Sequence, residues 1–221
     1  MLRADGSRPT AAERGHARSV LNRLKRRYPK IGTALEYRNP WQLLVSTVLS
    51  AQTTDDNVNR VATVLFGRYP QPADLAAADP EEVERVVFST GFYRQKTKAI
   101  QAVAVELVQR FGGEVPRTLE ELVTLRGVGR KTASVVLAEA FDSAAVAVDT
   151  HVRRVSGRLG LTTNIDPAKI EIDIKAAFPR DEWSKLSMRL IQFGRDVCQA
   201  RRPRCPECEM APICPWPGKR V

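Results

Sequence analysis

No cysteine occurs before position 198 in this 221-residue chain. A disulfide framework of the kind that staples small secreted domains is therefore excluded over most of its length. No apolar run approaches the roughly 20 residues a membrane-spanning helix needs; Ala144–Val148 is typical of the longest. The opening segment, MLRADGSRPT, has no hydrophobic core of a secretory signal. Internal repeats and low-complexity tracts are also missing. These absences exclude a membrane protein, a secreted disulfide scaffold and a coiled coil. They lead us to expect a cytoplasmic protein, nucleoid-associated if bacterial. Acidic residues are short as well: 25 Asp+Glu stand against 35 Lys+Arg, a net charge of +10. An excess of that size points to a polyanionic partner, most often nucleic acid. The plainer reading is a globular protein with basic tails.

Hydrophobic residues make up 43% of the chain, too many for a disordered protein. The length suits one large domain or two small ones. The charge is uneven. Residues 1–40 hold ten Lys+Arg and three acids, residues 195–221 hold six and three, and residues 41–194 hold 19 of each. The pattern between the ends is helical. Asn39-Pro40 supplies an N-cap and a first-turn proline, and Trp41, Leu44, Val45, Val48 and Leu49 follow as one stripe. Further helices are expected over about 55–69, from the capping box at Asp79, over 96–110, from the capping box at Thr118, and over 130–141, 152–159 and 167–178. A last helix is marked by Trp183, Leu186, Leu190 and Phe193. Only Ala144–Val148 reads as a strand, and the first fifteen or so residues read as disordered. The fold class is all-α.

Three segments carry chemistry. In Leu125-Arg126-Gly127-Val128-Gly129-Arg130-Lys131-Thr132, two glycines stand between helices. Gly127 and Gly129 let the backbone turn tightly and approach another chain, and Arg130 opens a helix whose free N–H groups suit a phosphate. Lys131 follows, either as a second phosphate ligand or as an amine with chemistry. Asp149, in Val148-Asp149-Thr150-His151, is well placed as a helix N-cap. Cys198, Cys205, Cys208 and Cys214 form a C-x6-C-x2-C-x5-C cluster, a thiolate set that suits zinc or an iron–sulfur cluster. Arg201, Arg202 and Arg204 lie between its first two members, as a phosphate contact or a solvated charge run.

The hairpin with its lysine, the Val-Asp-Thr-His segment and the cysteine spacing resemble the endonuclease III-like DNA glycosylases of the helix-hairpin-helix superfamily. Two further segments extend the resemblance to nearly the whole chain: Ser50-Ala51-Gln52 and Thr90-Gly91-Phe92-Tyr93. It implies two helical domains with the active site in a cleft between them. Residues 1–32 and 144–221 would form the cluster domain, and residues 33–143 a six-helix domain bearing the hairpin. It further implies a bifunctional enzyme that removes oxidised pyrimidines and then cuts 3′ to the abasic site by β-elimination. Lys131 would form the Schiff base, its amine kept neutral by burial or by cations such as Arg130. Asp149 would stabilise the developing positive charge on the sugar. The four cysteines would hold a [4Fe–4S] cluster. Gln52 would fill the gap left by an extruded base, and Phe92 would wedge between bases. The expected partner is double-stranded DNA with damaged bases or abasic sites, bound by a monomer.

Arg126, Ser134 and Phe92 depart from common residues of that family, without touching Lys131 or Asp149. The related adenine glycosylases lack the hairpin lysine and carry a glutamate about where this chain has Thr47. A non-catalytic DNA-binding iron–sulfur protein would share the charge and the cysteines, and would not need both Lys131 and Asp149.

Overall fold

Helix starts in this chain are set by side-chain caps. Thr10, Asn39, Thr54, Asp79, Thr118, Asp149 and Asp166 each accept a hydrogen bond from a backbone N–H of the first turn. Losing such a cap costs about 1 kcal/mol. Proline follows the cap in three of these helices, where its missing N–H removes no bond.

The structure, a computed structural model, describes residues 1–220. The helices run in order as α1 (Ala11–Arg27), α2 (Pro40–Leu49), α3 (Asp55–Arg68), α4 (Pro72–Ala77), α5 (Pro80–Val87), α6 (Tyr93–Phe111), α7 (Leu119–Leu122), α8 (Arg130–Ala140), α9 (Thr150–Arg158), α10 (Pro167–Ala177) and α11 (Trp183–Asp196). Single 3-10 turns lie at Phe88–Thr90, Arg180–Glu182, Cys205–Glu207 and Ala211–Ile213. Among the described residues there is no strand, and no helix is long and apolar enough to cross a membrane. The chain divides into two compact units, Thr33–Ser143 and a discontinuous one of Met1–Gly32 with Ala144–Val221.

In the Thr33–Ser143 unit, α2 is the central element. Leu43, Leu44, Val45 and Leu49 are fully buried, and Ser46 and Thr47 are buried with them. The helix is thus enclosed almost all round, beyond the single stripe its periodicity suggests. It packs on α3, α6 and α8. The short α4 was not foreseen from sequence; Gln71 and Pro72 start it, and it lies along α6.

In the other unit, α9 pairs with α11, and α1 packs on α10 and α11. Leu24, Val152, Val155, Leu186, Leu190 and Phe193 form its centre. Two expectations fail here. The first fifteen residues are not disordered: α1 begins at Ala11 with a Thr10–Glu13 capping box. The preceding segment is tied down by Arg3 on Glu13 and by the Ala4 N–H on Asp173. Ala144–Val148 is not a strand either. Ala145, Val146 and Ala147 are buried, but no second strand is present to pair with them, and the Ala147 N–H goes to the Ser187 hydroxyl instead.

Candidate nucleic-acid interface and cysteine site

The hairpin is α7, a tight turn and α8. Leu122, Leu125 and Val128 are buried and anchor it from below. The Val128 N–H donates to the Leu125 carbonyl at 3.0 Å. The two glycines have different duties. Gly127 has φ +87°, and a Cβ there would stand 3.0 Å from the Ala99 Cβ on α6. Both conformation and contact therefore demand glycine. Gly129 has an ordinary φ of −81° and nothing within 4 Å of a would-be Cβ. It is the N-cap of α8 and supplies no capping side chain. The first turn of α8 also contains no acidic residue. That helix end is left open, with its N–H groups and positive dipole end directed outward. Lys131 is the second residue of α8 and is exposed, so the expected burial is not found. The buried lysine is Lys96, 5% exposed, whose Nζ donates to the Thr90 carbonyl at 2.7 Å. Burial lowers the pKa of that ammonium.

Gln52 and Phe92 both sit in the left-handed region, with φ of 56° and 49°. A non-glycine residue there costs of order 1 kcal/mol or more and persists only where its surroundings enforce it. Both side chains are exposed, Phe92 by 58%, so Phe92 is not a core aromatic. Thr47, by contrast, is buried in α2 and its hydroxyl donates to the Leu43 carbonyl.

Asp149 is half-buried at the start of α9. One carboxylate oxygen accepts from the Val152 N–H at 2.8 Å, and the other lies 3.2 Å from His151 Nδ1. It therefore caps its helix with one oxygen and keeps the second toward an imidazole. Lys131 belongs to the Thr33–Ser143 unit and Asp149 to the other.

The four cysteines are free thiols and line one small cavity. Arg158, Phe193, Val197 and Trp216 complete much of its wall. Burial raises the Cys208 thiol pKa, and the neighbouring Cys198 and Cys214 add to this. Among the described residues, no three Cys, His, Asp or Glu side chains converge closely enough to hold a single metal ion. Arg201, Arg202 and Arg204 are all exposed on the loop between the first two cysteines.

Sequence reasoning assigned no role to the residues that shape this loop. Arg158 donates to the carbonyls of Gln199 and Ala200 at 2.8 and 2.9 Å, and reaches the Cys198 sulfur at 3.5 Å. Its guanidinium lies 4.0 Å from the centre of the Trp216 ring. Arg154 donates to the Cys198 and Gly194 carbonyls. The only signal was an arginine-rich α9 next to Asp149. A separate polar hollow, lined by Glu36, Tyr37, Arg38, Asn59 and Thr63, contains none of the expected site residues.

Residues 45–180 match the model of the HhH-GPD superfamily of base excision DNA repair proteins. An endonuclease III of Synechocystis sp. is 49% identical over 209 residues, spanning 94% of this chain and 95% of that protein. A non-covalent endonuclease III–DNA complex shares the fold with a TM-score of 0.87 and 42% identity, covering 91% of this chain and 95% of that one. A trapped endonuclease III–DNA covalent intermediate, an estranged-adenine complex, matches with the same TM-score, identity and coverage.

Proposed function

Because the chain belongs to the HhH-GPD superfamily and is a DNA glycosylase and AP lyase of base excision repair, we propose that it acts on oxidised pyrimidines in duplex DNA through Lys131 and Asp149. The observation that carries this reading is the position of Lys131. It is an exposed amine one residue inside α8, beside a helix start that Gly129 leaves uncapped and open to a phosphate. An amine held at that point stands next to the backbone it must cut.

In this mechanism the Lys131 amine, in its neutral form, attacks C1′ of the damaged nucleotide. The C1′–N bond breaks, and the base leaves with the bonding pair and takes up a proton. Asp149 stabilises the positive charge that grows on the sugar. Ring opening yields a Schiff base between Nζ and C1′. Loss of a C2′ proton then drives electrons toward the iminium, and the C3′–O bond breaks with departure of the 3′ phosphate. Water hydrolyses the imine and frees the lysine. Gln52 and Phe92 fill the space of the extruded base. Exposure of both side chains supports that role. Gly127, Gly129 and Arg130 hold phosphates, and so do Arg201, Arg202 and Arg204.

A [4Fe–4S] cluster fits the cysteine site. The donors are four free thiols around one cavity with an apolar and arginine-lined wall. Cys198, Cys205, Cys208 and Cys214 would hold it. When bound it supplies a covalent closure of the C-terminal loop, and the loop arginines are thereby presented in a fixed array.

A set of duplexes, each with one thymine glycol, dihydrouracil, abasic site or A·G mispair, tests the reading. We expect base release from the oxidised pyrimidines and strand cleavage without alkali. The Asp149→Asn variant should slow base release at least about 100-fold. Its fold should hold, since asparagine caps a helix as well as aspartate does. Activity confined to the A·G duplex would overturn the substrate assignment. Unchanged base release in Asp149→Asn would remove Asp149 from the mechanism.

A further inference from the structure

Two strained residues on separate loops need a shared support, and the structure contains one. Gln52 and Phe92 are held left-handed and exposed. Between their loops stands Asn57, in the first turn of α3. Its Nδ2 donates to the Thr53 hydroxyl at 3.0 Å, next to Gln52. The same Nδ2 donates to the Ser89 carbonyl at 2.9 Å, in the 3-10 turn that leads to Phe92. Its Oδ1 accepts from the Ser89 hydroxyl at 3.2 Å and from Arg60 at 3.0 Å. Both amide hydrogens and the carbonyl oxygen are in use. The far end of the same 3-10 turn is fastened by Lys96 on the Thr90 carbonyl.

We propose that Asn57 is a positioning residue that ties the Gln52 loop to the Phe92 turn, so that both side chains enter the DNA as one preorganised unit. This rests on the reading of Gln52 and Phe92 as gap-filling residues. An amide suits the position because it donates to both loops and accepts from one. A carboxylate of the same size loses both donor bonds, and alanine loses all four. A free loop would return its left-handed residue to an ordinary backbone conformation, and the side chain would leave its insertion geometry.

The test compares two reactions of the full-length protein. Asn57→Asp and Asn57→Ala should each slow single-turnover base release from a thymine glycol duplex about tenfold. β-Elimination on single-stranded abasic DNA, which has no base to extrude and no stack to fill, should be unchanged. Fluorescence of a 2-aminopurine placed opposite the lesion should show slower or incomplete insertion. In a background lacking both side chains, Gln52→Ala with Phe92→Ala, Asn57→Ala should add nothing further. A merely structural role would lower both reactions together through the fraction of folded enzyme. Unchanged base release, equal loss in both reactions, or full additivity with the Gln52→Ala, Phe92→Ala pair would overturn the proposal. If Gln52→Ala and Phe92→Ala themselves leave base release intact, the gap-filling reading falls; if they slow it and Asn57→Asp does not, only the tie falls.

Discussion

Two glycines spaced as Gly-x-Gly look equivalent on paper, yet Gly127 and Gly129 differ in what they require. Gly127→Ala places a Cβ at positive φ and 3.0 Å from Ala99. We expect a loss of about 1–3 kcal/mol, seen as a lower denaturation midpoint. Gly129→Ala meets open space at an ordinary φ. Its stability should fall less than that of Gly127→Ala, and on the proposed reading its affinity for duplex DNA should fall because the methyl group would meet a bound phosphate. Equal effects of the two substitutions on stability would contradict this division. The hairpin, Asp149 as a helix cap and the gathering of the four cysteines were legible in the sequence, because glycine, capping and cysteine patterns are local. Asn57, Arg154 and Arg158 were not. Each acts through hydrogen bonds to residues 32 to 44 positions away, and no local pattern encodes such a partner.

Helix boundaries were legible where a cap and a proline coincide, as at Asn39-Pro40 and Asp166-Pro167. They were lost where a tertiary contact decides. The N-terminal segment is polar, and composition alone argues for disorder; its order comes from Asp173, which is buried on α10. The opposite end of α1 carries a pH-sensitive contact. The Tyr28 hydroxyl donates to Asp196 on α11 at 2.9 Å. Burial, aided by that carboxylate and opposed by Arg27, pushes the phenol up to about 12. The folded state thus holds this proton more tightly than the unfolded chain does. Its contribution to stability is complete below pH 10 and is lost as pH rises through about 12. Melting temperatures measured from pH 9 upward should fall more steeply in the wild type than in Tyr28→Phe. Parallel curves would show that the contact carries no linked stability.

At the scale of the whole molecule, the charge has an address. The unit of residues 1–32 and 144–221 holds 23 Lys+Arg against 11 Asp+Glu, a net +12, whereas residues 33–143 hold 12 against 14, a net −2. The hairpin therefore sits on a nearly neutral unit, and the surplus lies on the unit that carries Asp149 and the cysteine loop. On the proposed reading, electrostatic attraction to DNA and placement of the amine fall to different parts of the chain. Changing Arg201, Arg202 and Arg204 together to alanine should flatten the dependence of log affinity on log salt by about 2 to 3. Fluorescence anisotropy across a salt series reads this directly, and an unchanged slope would take those arginines off the DNA.

The central claim is that Lys131 is the amine that bonds to the sugar. Borohydride reduction during reaction with a duplex containing one abasic site fixes any Schiff base as a stable protein–DNA adduct. The wild type should give one adduct, and peptide mapping should place it on Lys131. Lys131→Ala should give none while still binding the duplex. An adduct of undiminished yield in Lys131→Ala, or no adduct in the wild type, would contradict the account.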